Sequence, residues 1–192
     1  MTDVLDATNG SSLLGHPSFS LKNRIYRAVW SLTWLLLCQW TPPPLNKWRC
    51  FVLKAFGARI GSGARVYGST KIWSPENLDM GAHSVMGWNV NCYNQGKITL
   101  GEFAIVSQYS HLVSGTHDVD DRNFQLKTFP IVIEPYAWVA SDAFVGPGVT
   151  LGEGAVLGAR GVAFKNLKPW TIYAGNPCKE IRQRKWAEVS AS

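Results

Sequence analysis

The chain has 192 residues, enough for one domain with a sizeable core. Its formal net charge is +6, yet only 17% of residues are charged, so a disordered nucleic-acid arm is excluded and an anionic ligand or surface is expected. Four cysteines (Cys38, Cys50, Cys92, Cys178) show no CxxC spacing and imply no disulfide framework.

Residues 1–20 are rich in Ser, Thr, Asn and Gly and read as a loose leader. No basic segment precedes the next apolar run closely enough to make a secretory signal. That run belongs to residues 21–56, an apolar and aromatic helical segment. Lys22, Arg24 and Arg27 lead into it, its core is Ala28 to Trp40, and Pro42-Pro43-Pro44 ends it. The core is shorter than the ~20 residues a spanning helix needs. Two readings stay open. The segment caps the end of the domain that follows, or it lies in a membrane interface with its Lys/Arg on anionic lipid. One helix can do both.

From residue 57 the pattern changes. Ile133 to Val162 reads in sixes: IEPYAW, VASDAF, VGPGVT, LGEGAV, LGARGV. Ile133, Val139, Val145, Leu151 and Leu157 open the blocks. A small residue or Val follows four places later. A period of six fits neither a helix nor a plain amphipathic strand; it fits a short strand and a turn, repeated. The same inward positions can be followed from Ile60 through Val66 and Ile72, then Met80, Met86 and Cys92, then Leu100, Val106 and Leu112. Three sixes make one triangular coil. The expected fold is an all-β parallel β-helix of about five coils over residues 57–168. One corner throws out a long loop, 118–132, which rigid scaffolds commonly use for function. Residues 169–192 lose the period and are read as an extension with a short helix, Lys179 to Ala187.

Four histidines occur: His16, His83, His111 and His117. His117 stands at the root of the loop, in Ser114-Gly115-Thr116-His117-Asp118. An outward imidazole there can take a proton from a hydroxyl near neutral pH, with Asp118 or a backbone carbonyl fixing its tautomer. His111 and His117 lie one six apart and so on different faces, and one chain cannot bring both to one metal. No metal site is expected. No GxSxG or phosphate-loop lysine motif is present. Trp138 and Phe144 point outward and need cover, from a subunit or a flat ligand.

The repeats, the SGTHD run, the segment FPIVIEPYAWVASDAFVGPGVTLGEGAVLGARGV and the YAGNPCKEIR ending resemble hexapeptide-repeat acetyltransferases. The resemblance is strongest to those of colanic acid and exopolysaccharide biosynthesis, akin to galactoside and maltose O-acetyltransferases. It covers roughly residues 55–185. It implies a left-handed β-helix, where general connection rules alone favour the right hand. It further implies a homotrimer, acetyl-CoA as donor, a sugar or lipid-linked saccharide as acceptor, and His117 as general base. Donor contacts carry over to Trp138, Ser141, Ala159, Lys165, Lys179 and Arg182. Gly87 stands where galactoside enzymes place an acceptor-binding Asn, which leaves Asn89, Asn91 or Asn94 as substitutes. Two other readings stand beside this one: a metal-dependent hydratase of the carbonic anhydrase type, and a scaffold without catalysis. Free thiols fit a reducing compartment, so the cytoplasm is expected, at the inner face of the plasma membrane if residues 21–56 meet lipid.

Overall fold

The computed structural model describes residues 4–186. Three parallel sheets wrap one core. The first face stacks Ile60, Met80, Leu100, Ile133 and Leu151, with Leu167 bridging beyond. The second stacks Val66, Met86, Val106, Val139, Leu157 and Tyr173. The third stacks Ile72, Cys92, Leu112, Val145 and Ala163. All these side chains are buried. The periodic positions therefore form the inside of a prism. Its sixth coil is partial, so the stack is slightly taller than five.

Two corners use left-handed backbone at one residue per coil. One carries His83, Phe103, Tyr136 and Trp170 at φ near 53–60°. Their rings form a ladder, with His83 to Phe103 at 5.0 Å and Phe103 to Tyr136 at 5.3 Å. The other carries Asn89, Tyr109, Asp142 and Arg160. Left-handed backbone costs a non-glycine residue energy, and the stacking and the coil-to-coil bonds offset it.

The open end of the first coil is covered by α1 (Leu21–Leu37) and α2 (Asn46–Ala55). Trp30 and Trp34 of α1 are buried and donate their indole N–H to the carbonyls of Ile72 and Gly68, at 2.7 and 3.0 Å. From α2, the Asn46 side chain takes the N–H of Val66 and donates to Ala64, and Arg49 donates Nε to the Val66 carbonyl at 2.6 Å. These groups have no preceding coil to pair with, so side chains stand in for the missing strand. No helix among the described residues is long and apolar enough to cross a membrane.

Residues 4–20 are ordered rather than loose. Asp6 and Ser11 cap short 3-10 turns, Ser20 caps α1, and Phe19 is buried. Their polar side chains make local caps, the reason such composition resembles a flexible tail. The segment 118–132 is also more regular than a loop. Gly115–His117 and Leu126–Thr128 pair as an antiparallel hairpin, and Ile131–Ile133 already belongs to the first face.

Among the described residues the expected C-terminal helix does not form. Thr171–Ala174 continues the second face past residue 168, and Lys179–Gln183 folds back on it as an antiparallel strand. Good helix formers fill that stretch, but the unpaired edge of the last coil offers backbone bonds that outweigh local propensity. Ala187 lies outside the described residues.

Candidate active site

His117 ends the strand Gly115–His117, opposite Leu126. Its Nδ1 lies 2.8 Å from the Phe124 carbonyl oxygen. A carbonyl only accepts, so in the neutral ring Nδ1 carries the proton and Nε2 is the basic nitrogen. The Phe124 ring lies parallel to the imidazole, centroids 4.3 Å apart. Phe124 thus fixes both the tautomer and the plane of the ring.

Asp118 does not orient the ring. Its carboxylate pairs with Lys127 Nζ at 2.5 Å and accepts the Asp120 N–H. The Lys127 hydrogen bond, with backbone help, holds Asp118 below the usual carboxylate range. Asp118 therefore braces the hairpin. Asn94 is corrected as well. It is fully buried, its Oδ1 accepts the N–H groups of Trp73 and Ser74, and its Nδ2 donates to the Ser74 carbonyl. Both ends of the amide bond to the corner of the coil, and full burial keeps Asn94 from an acceptor.

The imidazole lines a cleft of about 250 Å³. Around it stand Ser18, Phe19, Arg27, Trp73, Tyr93 and Gln95. None of these six was expected at the site from sequence; Arg27 was read only as part of the basic lead into residues 21–56. Trp73 and Tyr93 each follow an inward residue, Ile72 and Cys92, one coil apart, which is the one signal that points to them. Arg27 comes from α1, and Ser18 and Phe19 from the segment taken for a leader. That segment is tied to the hairpin: the Ala7 N–H donates to Gln125 Oε1, and Ser11 and Ser12 donate to the carbonyls of Asn123 and Phe124. The carbonyl that orients His117 is thus itself held from residues 4–20.

The other predicted positions lie elsewhere on the prism. Ser141 and Ala159 share one corner in successive coils and line a hollow of about 440 Å³ with Tyr109 and the Asp142–Arg160 pair. Trp138 is 41% exposed on the second face, its indole N–H bonded to Ser107 Oγ at 2.9 Å. Lys165 is exposed in the turn after Val162–Ala163, beside Phe164, which is also exposed. Lys179 and Arg182 are exposed on the last strand. None of these three cations is in an ion pair among the described residues. Of the asparagines weighed as substitutes for Gly87, Asn91 contacts His111 at 3.3 Å and Asn89 is exposed. No group of three metal-ligating side chains occurs among the described residues.

No family model matches the chain. The Escherichia coli K-12 protein named "Putative colanic acid biosynthesis acetyltransferase WcaF" is 40% identical over 162 residues, covering 84% of this chain and 89% of the relative. Galactoside O-acetyltransferase of the same organism is 27% identical over 135 residues, 69% of this chain and 66% of that protein. Among solved structures, a hexapeptide-repeat acetyltransferase from Vibrio cholerae complexed with acetyl-CoA superposes with TM-score 0.76 at 21% identity, covering 86% of this chain and 91% of that one. A maltose O-acetyltransferase from Clostridium difficile does so with TM-score 0.73 at 18% identity, covering 87% and 90%. At those identities the two structures speak for the fold.

Proposed function

The chain belongs to the hexapeptide-repeat acetyltransferases, and we propose that it moves an acetyl group from acetyl-CoA to a saccharide hydroxyl during synthesis of a cell-surface polysaccharide, with His117 as general base. One observation carries this reading: the Phe124 carbonyl on Nδ1 leaves Nε2 as the basic nitrogen of a ring that lines a cleft. In the proposed step Nε2 takes the hydroxyl proton as the oxygen attacks the thioester carbonyl. The C–S bond then breaks, and the thiolate leaves with a proton returned by the imidazolium. The products are an ester and the free thiol. General-base help of this kind contributes ~10²–10⁴ in rate.

The donor is assigned to Trp138, Ser141, Ala159, Lys165, Lys179 and Arg182. The exposed cations without ion-pair partners suit the phosphates of coenzyme A. Lys179 offers a point charge rather than a bidentate fork. These residues are spread over several parts of the prism, and among the described residues none of them lines the cleft beside His117. A cleft completed by a second copy would unite them, which supports a homotrimer. The exposed Trp88, Ile105, Tyr109 and Trp138 would find cover there.

Contact with a membrane surface belongs to the same proposal. Leu21, Ile25, Val29, Leu32 and Leu36 follow helical spacing along α1, and each is more than half exposed. Trp40 is 71% exposed. Residues 21–56 hold six Lys or Arg and no Asp or Glu. An apolar stripe beside uncompensated positive charge suits an anionic lipid surface. A lipid-linked saccharide would then meet the cleft from that side.

Acetyl-CoA turnover against a panel of free, nucleotide-linked and lipid-linked saccharides tests the reading. Ester formation on a sugar hydroxyl is expected; acetylation of amines alone, or no turnover on any acceptor, would remove it.

A further inference from the structure

The cleft beside His117 adjoins a second hollow. Arg27, Trp73 and Tyr93 line both, and the second, of about 390 Å³, adds Lys71, Asn89 and Asn91. Among the described residues no Asp or Glu lines either hollow. Arg27 and Lys71 are in no ion pair among the described residues.

The setting of Arg27 is specific. Its guanidinium lies 4.1 Å from the centre of the Trp73 ring and 5.5 Å from that of Phe19. Its Nε donates to Asn23 Oδ1 at 2.9 Å. No other hydrogen bond engages its donors among the described residues. Stacking uses the faces of a guanidinium, and its donors lie in the plane, along the edge. Two rings and Asn23 therefore hold the group still while its Nη edge stays unfilled. Burial also pulls Arg27 below its usual range, so charge here costs stability that an anion would offset.

Building on the saccharide acetyltransferase reading, we propose that the two adjoining hollows select an anionic saccharide. Its carboxylate or phosphate lies on the Nη edge of Arg27, with Lys71 further along. Its ring rests against Trp73 and Tyr93, and the hydroxyl to be acetylated faces His117. A bidentate contact of this kind has the geometry of the planar fork.

Calorimetric binding and initial rates on the full-length protein test this with three acceptors: a neutral glucose oligosaccharide, a matched oligosaccharide carrying a uronic acid, and a glycosyl phosphate. At least one charged acceptor should bind on the order of tenfold more tightly than the neutral one. Whichever charged acceptor wins names the source of the anion. Arg27→Gln should abolish that preference. Lys71→Gln, on an exposed strand position, should halve it or more and serves where Arg27→Gln fails to fold. Equal binding of all three acceptors would overturn the proposal. So would variants that keep the preference and lose only thermal stability, for Arg27 would then be a structural staple. Charge-dependent binding without acetyl transfer to any acceptor would instead leave the anion site standing and remove the transferase reading beneath it.

Discussion

Phe124 holds His117 twice: its carbonyl oxygen lies 2.8 Å from Nδ1, and its ring lies within 9° of parallel to the imidazole. One residue of the hairpin tip thus sets the tautomer and the plane of the proposed base. That tip is fastened to residues 4–20 through Gln125, Ser11 and Ser12. Residues 4–20 thus reach the proposed base both through the hairpin tip and directly, with Ser18 and Phe19 in the lining of its cleft.

The membrane contact predicts a change in partition. Wild-type protein should float with vesicles rich in anionic lipid and be released by high salt, since surface attraction is screened within about 10 Å at 0.1 M salt. Val29→Glu with Leu32→Glu, both on the exposed side of α1, should cut the bound fraction on the order of tenfold, as charges replace buried apolar groups. Unchanged flotation would remove lipid as the occupant of this face. A double variant that instead breaks up the oligomer would assign the face to a second copy.

The ring ladder predicts unequal costs for two glycines. Gly154 has φ +64°, and a Cβ there would come within 2.4 Å of the Trp170 ring. Gly148 has φ +77°, and its nearest neighbour, Phe129 Cβ, would be 3.4 Å away. Gly148→Ala should cost only the left-handed backbone term of about 1–2 kcal/mol. Gly154→Ala must also push an indole off the ladder, and should cost more by at least ~1 kcal/mol, as overpacking does. Urea unfolding of both variants measures the difference. Equal costs would mean that Trp170 does not pack against this corner.

Tyr26 predicts a pH dependence. Its hydroxyl donates to the Phe56 carbonyl at 2.6 Å, and burial first, with Glu76 nearby, raises its pKa to about 12 from 10.0. A raised folded-state pKa gives stability that is complete below the unfolded value and fades as pH climbs through the folded one. At pH 8, Tyr26→Phe should lose about 1 kcal/mol with the hydrogen bond. The gap between variant and wild type should narrow from pH 10 to about 12. A gap that stays constant over that window would show the hydroxyl to be solvated in the folded protein.

How much of this was legible in the sequence depends on the reach of each signal. The core columns were, because Ile60, Met80 and Leu100 recur at the step of the coil and nothing but burial demands it. His117 was legible because a change of phase marks the hairpin root. Lys179–Gln183 was not: its residues suit a helix, and the strand form is imposed by Thr171–Ala174 beside it. Asn94 looked free for a ligand because its partners, Trp73 and Ser74, sit a full coil earlier. Arg27 was read as part of a basic lead into the helix, and its place in the cleft was hidden for the same reason, its stacking partner Trp73 lying across the fold on another element. Periodicity carries information along the chain; contacts between coils, and between the cap and the coils, leave no local mark.

The most direct test is turnover by His117→Ala with acetyl-CoA and an accepted saccharide, alongside calorimetric binding of acetyl-CoA. A general base at Nε2 predicts that kcat falls by ~10²–10⁴ while acetyl-CoA binds as it does to the wild type. Wild-type kcat in that variant would contradict the assignment of the proton to this ring.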